Sequence, residues 1–128
     1  MSIAAWICNA NVIIKNNNLQ GAYSALKSNY ENGKTSQSIN FATLEKIKSN
    51  DNLVDFLESE FYNVNKLDDS IVIVDGDIDT ITGDLFNLFE AIAPFVEPGS
   101  LLEIRDEEEQ QLNLAFDGES VSYEGDAF

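Results

Sequence analysis

Hydrophobic and polar positions divide the N-terminal part of the chain into one strand and two helices. Apolar residues fill both phases between residues 2 and 14, which predicts a buried, central strand. Over residues 19–30 they recur at three- and four-residue steps, which predicts a helix, and Gly33 is suited to end it. Phe41 and the apolar residues after it predict a shorter helix that ends near Ser49.

The middle of the chain predicts two more helices with a short strand between them. Asp51 is placed to cap a helix whose apolar positions run over residues 53–61. A β-branched run at residues 70–74, bounded by acidic residues and glycine, predicts a strand that ends in a turn. A helix whose apolar face runs over residues 85–96 follows, with Thr82 or Asp84 as its cap, and Pro94 is expected to kink or terminate it.

The C-terminal part changes to a two-residue period. Apolar and polar residues alternate over residues 102–104, 112–116 and 121–123, which predicts three antiparallel strands. Asp117-Gly118 between the last two predicts a two-residue hairpin turn. The preceding turn, residues 106–109, carries four adjacent carboxylates at a place where we expect the chain to be exposed to solvent.

These elements predict a single α+β domain over residues 1–128. An antiparallel sheet of four to five strands is covered on one face by two to three helices, and a C-terminal β-meander closes the chain. The length is that of one domain with one core. The expected core residues are Trp6, Leu26, Phe56, Phe61, Leu88, Phe89, Ile92, Leu114 and Phe116.

Two features predict a cytoplasmic protein. Cys8 is the only cysteine, so no intramolecular disulfide can form, and its neighbours Trp6 and Ile7 predict a buried, unreactive thiol. The apolar run near the N-terminus has no basic segment before it and is interrupted by Asn9 and Asn11, which argues against a signal peptide and against a membrane span.

Charge is distributed very unevenly along the chain. Residues 51–128 hold 21 of the 23 acidic residues against only Lys66 and Arg105, so their net charge is 2 − 21 = −19. The first fifty residues carry five lysines and two glutamates, a net charge of +3. Charge of one sign on a folded body opposes folding, so it indicates a role in solubility, in steering or in binding a cationic partner.

The chain offers little material for catalysis or for cofactors. It has no His and one Cys, which removes the usual general bases, nucleophilic dyads and zinc sites. Residues 75–79 read DGDID, but an EF-hand loop that starts there places Thr80 and Phe86 where Gly and Glu are required. We expect no cofactor and no enzyme. A weak Ca²⁺ or Mg²⁺ site, or an enzyme built on paired carboxylates, is the alternative of a different class.

The acidic half predicts a protein partner. Direct binding of nucleic acid is not expected, because affinity for phosphates comes from Lys and Arg. We expect an inhibitor that docks on a basic, nucleic-acid-binding protein. The alternative is that the acidic surface only keeps the protein soluble and binds no partner. An immunity protein that neutralises a basic toxin nuclease would need the same charge. The predicted partner-binding residues, with Arg105 orienting its neighbours, are Glu58, Glu60, Asp75, Asp77, Asp79, Asp84, Asp106, Glu107, Glu108 and Glu109.

In charge and size the chain resembles the small acidic DNA mimics of phages and other mobile elements, such as anti-restriction and anti-CRISPR proteins. These share no common fold, so the resemblance implies inhibition by charge mimicry and assigns no residue roles. The segment 85–116, LFNLFEAIAPFVEPGSLLEIRDEEEQQLNLAF, resembles part of a group of uncharacterised small bacterial proteins. In that group a helix end leads into a strand, an acidic turn and another strand. The group has an acidic-glycine turn followed by Trp-x-Trp. This chain departs from it by having residues 106–109 as the turn, followed by Leu112 and Leu114.

Overall fold

A computed structural model describes residues 4–76 and 82–125 of the chain. None of the helices in these two ranges is long and apolar enough to cross a membrane. In chain order the elements are β1 (Ala5–Lys15), α1 (Asn16–Glu31), α2 (Phe41–Ser49), α3 (Leu53–Ser59), β2 (Tyr62–Lys66), β3 (Ser70–Gly76), α4 (Gly83–Ile92), a 3₁₀ turn (Ala93–Phe95), β4 (Leu101–Asp106), β5 (Gln111–Phe116) and β6 (Val121–Gly125).

The described strands form one antiparallel sheet with the order β2-β3-β1-β4-β5-β6. The α+β class and the C-terminal meander of β4, β5 and β6 are therefore confirmed. Within residues 4–76 and 82–125 the sheet has six strands where four to five were expected, and there are four helices where two to three were expected. The sequence pattern gives no sign of β2, which reads Tyr-Asn-Val-Asn-Lys, because an edge strand that meets solvent retains few apolar residues.

A β-bulge in β1 explains why both of its phases are apolar. The register to β4 slips by one residue between Ile7 and Asn9, which makes Cys8 the extra residue of the bulge. Before the slip the odd-numbered side chains are buried, and at the far end of the strand the even-numbered Val12 and Ile14 are buried instead. Cys8 is exposed as a result, so the prediction of a buried thiol is wrong.

The core lies between the helices and one face of the sheet. Along β4 and β5 every second side chain is buried, so one face packs against the helices and the other meets solvent. Phe89 of α4 contacts Tyr62 and Phe116 edge-to-face, with ring centroids 5.8 Å and 6.0 Å away. The expected core residues found buried are Leu26, Phe56, Leu88, Phe89, Ile92, Leu114 and Phe116.

Two expected core residues lie on the surface instead. Trp6 is 42% exposed, because it precedes the bulge and lies opposite Arg105 on the open face of the sheet. Phe61 is 66% exposed and stands between α3 and β2 with φ at 70°, a left-handed conformation that reverses the chain outside both elements. Both predictions are wrong, because apolar spacing alone does not reveal a bulge or a turn.

Helix ends follow local signals in most cases. Gly33, at φ 69°, follows the last residues of α1 as predicted. Pro94 lies in the 3₁₀ turn directly after α4, also as predicted. The cap of α3 is Asn52, whose Oδ1 accepts a hydrogen bond from the Asp55 amide at 2.8 Å, and is not the expected Asp51.

The β5–β6 hairpin forms, but its turn is longer than two residues. Residues 117–120 separate the paired ends of the strands, and Gly118 adopts φ 96°. Asp117 Oδ1 accepts hydrogen bonds from the amides of Glu119 and Ser120 at 2.9 Å and 2.7 Å. These bonds hold the pKa of Asp117 below its usual range, and they fix a four-residue turn in place of the tighter one.

Candidate functional site

The topology brings distant acidic segments to one end of the sheet. β1, β2 and β5 begin at this end, and β3, β4 and β6 finish there, as the antiparallel registers require. We call it the tip end, because the turn between β4 and β5 lies on it. Six strands spaced about 4.8 Å apart make this end about 24 Å wide.

Four segments bring predicted contact residues to the tip end: the end of α3 with the turn after it, the end of β3, the first turn of α4, and the β4–β5 turn. The described members are Glu58, Glu60, Asp75, Asp84, Asp106, Glu107, Glu108 and Glu109. Asp84 lines a pocket together with Glu60 and Tyr62, which places it beside the start of β2. Asp77 and Asp79 lie outside the described residues.

The β4–β5 turn presents three of its four carboxylates to solvent. Glu107, Glu108 and Glu109 are exposed, whereas Asp106 is only 5% exposed. Asp106 Oδ1 accepts hydrogen bonds from the amides of Glu108 and Gln110, both at 2.9 Å. Asp106 therefore stabilises the turn through hydrogen bonds to its backbone. The charge that this turn offers to a partner is that of the three glutamates.

Glu58 and Asp75 are two further exposed carboxylates of the tip end. Glu58 lies in the last turn of α3 with its side chain in solvent. Asp75 is exposed near the end of β3, and its Oδ1 accepts a hydrogen bond from Asn63 on the neighbouring edge strand. A hydrogen bond of this kind leaves the negative charge in place, so both carboxylates remain available to a cationic group.

Glu60 is half-buried, and its carboxylate forms an ion pair but no hydrogen bond at one of its oxygens. Its Oε1 lies 3.2 Å from Lys46 Nζ, yet this oxygen accepts no hydrogen bond of good geometry within the described part of the chain. The two side chains are 28% and 48% exposed, so the ion pair is open to solvent and contributes little to stability.

Asp84 is held by hydroxyl groups from two other helices. Its Oδ1 accepts a hydrogen bond from Tyr30 Oη at 2.7 Å, and its Oδ2 accepts one from Thr43 Oγ1 at 3.0 Å. Burial, and then the hydrogen bond to this carboxylate, raise the pKa of Tyr30 well above its usual value. Asp84 thus joins α1, α2 and α4 while its own charge stays at the protein surface.

A small pocket opens between these carboxylates. Its volume is about 60 Å³, and its walls are apolar side chains of α1, α3 and α4. Its polar lining is Tyr30, Thr43, Glu60, Tyr62, Thr82 and Asp84. The side chain of Tyr62 is 5% exposed, and its hydroxyl has no hydrogen-bond partner among residues 4–76 and 82–125. Burial, and then the charge of Glu60, raise the pKa of Tyr62.

Trp6 lies beside the three glutamates and was not among the predicted site residues. It lines a surface groove of about 620 Å³ together with Arg105, Glu107 and Glu109. Arg105 Nη2 lies 3.2 Å from Glu103 Oε1, so this cation pairs along its own strand. The one signal that could have placed Trp6 on the surface is the change of apolar phase after it, which marks the bulge.

Carboxylates also occur at the opposite end of the sheet, where Asp68, Asp69, Glu97, Asp117 and Glu119 lie in the connections between strands, and Asp51 and Asp55 lie near the start of α3 beside Asn16. Lys15 Nζ pairs with Glu97 Oε1 at 3.3 Å. The two ends differ in their cations: Lys46 and Arg105 at the tip end are each paired to a glutamate, whereas Lys66 at the opposite end forms no ion pair with the described residues.

The described residues form no cluster suited to a metal ion. No group of three or more His, Cys, Asp or Glu side chains in residues 4–76 and 82–125 is arranged to hold a metal ion. The candidate site is therefore characterised by its charge and by its pocket. No protein-family model, curated protein or solved structure matches this chain.

Proposed function

We propose that the protein is an inhibitor that docks through its tip end on a basic protein of the kind that binds nucleic acid. The observation that carries this proposal is the convergence of carboxylates from four segments on one end of the sheet. A surface of one charge speeds the encounter with a cationic partner and rejects acidic ones. Seated in a phosphate-binding groove, it would keep nucleic acid out.

The exposed side chains of the tip end have complementary roles in this proposal. Glu58, Asp75 and the three glutamates of the β4–β5 turn supply long-range attraction. Trp6 supplies an exposed aromatic surface beside them, and aromatic side chains commonly provide most of the binding energy at protein interfaces. Asp106 contributes through the shape of the turn, since its carboxylate is turned inward.

The partner's own activity would complete the assignment. A DNA- or RNA-binding protein would make this chain a charge mimic, and a basic toxin nuclease would make it an immunity protein. Both partners bring a cationic groove to the same surface, so the docking chemistry is shared. We propose a cytoplasmic site of action, where such partners meet nucleic acid.

Affinity capture from host lysate tests the proposal with two matched variants. One replaces Glu107, Glu108 and Glu109 with Lys at the tip end, and the other replaces Asp68, Asp69 and Glu119 with Lys at the opposite end. Each changes the net charge by +6, from −16 to −10, at exposed positions.

We expect the wild type and the opposite-end variant to capture the same basic protein and the tip-end variant to lose it. Circular dichroism would confirm that both variants are folded. Equal capture by the two variants, or an acidic partner, would contradict the proposal.

A further inference from the structure

The tip-end pocket contains polar groups that the described fold leaves unsatisfied. The hydroxyl of Tyr62 has no hydrogen-bond partner in residues 4–76 and 82–125, although the side chain is 5% exposed. Glu60 Oε1 is buried and accepts no hydrogen bond, although Lys46 stands 3.2 Å away. Buried polar groups are normally paired, so the Glu60 oxygen, and the Tyr62 hydroxyl where it meets the pocket, are open to a further hydrogen-bonding group.

The charge of the pocket identifies the kind of ligand. The described residues that line the pocket include two carboxylates, Glu60 and Asp84, and no cation. Lys46 pairs with Glu60 from outside this lining, so these three side chains have a net charge of −1. Each oxygen of Asp84 already accepts one hydroxyl hydrogen bond, and a carboxylate oxygen can accept a second. The acceptors outnumber the donors, so the pocket is suited to a cation that carries several N–H groups.

The size and the apolar walls of the pocket narrow the choice of cation further. Its volume of about 60 Å³ exceeds the roughly 10–15 Å³ that one water requires. Phe56, at 2% exposure, and Leu88, at 4%, provide apolar walls. A flat, weakly hydrated group fits such walls better than an ammonium ion, which is strongly hydrated, or Mg²⁺, which keeps its waters.

We infer that the tip-end pocket receives the guanidinium group of an arginine side chain from the partner. This inference rests on the proposed function and names the anchor of the complex. The guanidinium donates to Glu60 Oε1 and Asp84, the Tyr62 hydroxyl accepts another of its N–H groups, and the aromatic walls pack against its faces. Lys46, which is 48% exposed, moves outward when the arginine enters.

Amide NMR of the full chain, titrated with ethylguanidinium chloride at millimolar concentrations and constant ionic strength, tests the pocket without the partner. We expect saturable shifts confined to the start of β2 and the start of α4. Glu60→Gln should weaken binding roughly tenfold, as expected for the loss of a charge-assisted hydrogen bond. Tyr62→Phe should also weaken it without loss of stability, because the hydroxyl has no partner to lose. Glu119→Gln, the same change of charge at the opposite end, should have no effect.

Several outcomes would overturn the inference. Shifts that do not saturate, or that spread evenly over the acidic surface, would mean ion screening and a water-filled pocket. Equal or tighter binding of ethylammonium or Mg²⁺ would assign the pocket to a different cation. If the probe fails while capture of the partner still depends on the three glutamates, the pocket assignment falls and the docking proposal stands. If the probe binds while capture ignores those glutamates, the docking proposal falls.

Discussion

Tyr30 Oη donates a 2.7 Å hydrogen bond to Asp84 Oδ1, and so links the last turn of α1 to the first turn of α4. The other oxygen of Asp84 accepts from Thr43 of α2 at 3.0 Å. One carboxylate therefore fixes the position of three helices around the tip-end pocket. The same residue contributes to the stability of the fold and to the charge that the proposed function uses.

Replacing Tyr30 with Phe should lower the free energy of unfolding by about 1–2 kcal/mol, because it removes a hydrogen bond to a half-buried carboxylate. Urea denaturation would measure the loss. Tyr123→Phe is the matched control: Tyr123 Oη also donates to a carboxylate, that of Glu90, but its side chain is 38% exposed. We expect a smaller loss for the control. An equal or larger loss would contradict the structural role given to Asp84.

Alkaline pH should unfold the protein. Burial is the largest cause that raises the pKa values of Tyr30, Tyr62 and Tyr123 above their ordinary value of 10.0. The folded state favours the neutral phenols, so the stability they contribute is complete below pH 10 and is lost as the pH rises above it. Ultraviolet absorbance should show tyrosinate forming together with unfolding. Formation of three or more tyrosinates near pH 10 in a folded protein would contradict this prediction.

Two phenylalanines five residues apart provide a test of the core. Phe56 is 2% exposed and Phe61 is 66% exposed. Phe56→Ala should cost about 3–5 kcal/mol through lost burial and a cavity, whereas Phe61→Ala should change stability by about 0.5 kcal/mol or less. Thermal or urea unfolding of both variants measures the difference. Similar losses in the two variants would show that the turn before β2 is wrongly placed.

Cys8 should be accessible but slow to react. Its Sγ lies 3.3 Å from Glu103 Oε1, and partial burial followed by this contact raises the pKa of the thiol. The reactive thiolate is therefore scarce at neutral pH. Glu103→Gln should speed alkylation by iodoacetamide in the folded protein. A wild-type rate equal to that of a small free thiol, or no change in the variant, would contradict the assignment.

The sequence predicted those parts of the fold that depend on local pattern. Alternation fixed the β4-β5-β6 meander, three- and four-residue spacing fixed the helices, and Gly33 and Pro94 marked two of their ends. β2 escaped prediction because it is an edge strand whose polar residues face solvent. No window of its sequence distinguishes it from a loop, and only its pairing with β3 makes it a strand.

The candidate site shows the same limit. Charge counting located the exposed glutamates of the β4–β5 turn, but it could not show that Asp106 turns inward to bond amides of its own turn. Nor could it show that Trp6 lies outside the core, since this depends on a bulge at Cys8. The pocket around Tyr62 is formed by segments that are distant in sequence, so no sequence motif predicts it.

The association rate with the captured basic protein tests the central claim most directly, with the fluorescence of Trp6, the only tryptophan of the chain, as the signal. At low ionic strength the Lys replacements of Glu107, Glu108 and Glu109 should slow association roughly tenfold or more. Added salt should slow the wild type in the same direction. The replacements of Asp68, Asp69 and Glu119 should leave the rate within about twofold of the wild type, because these residues lie at the far end of the sheet. Equal slowing by both variants, or a wild-type rate that does not depend on salt, would contradict docking through the tip end.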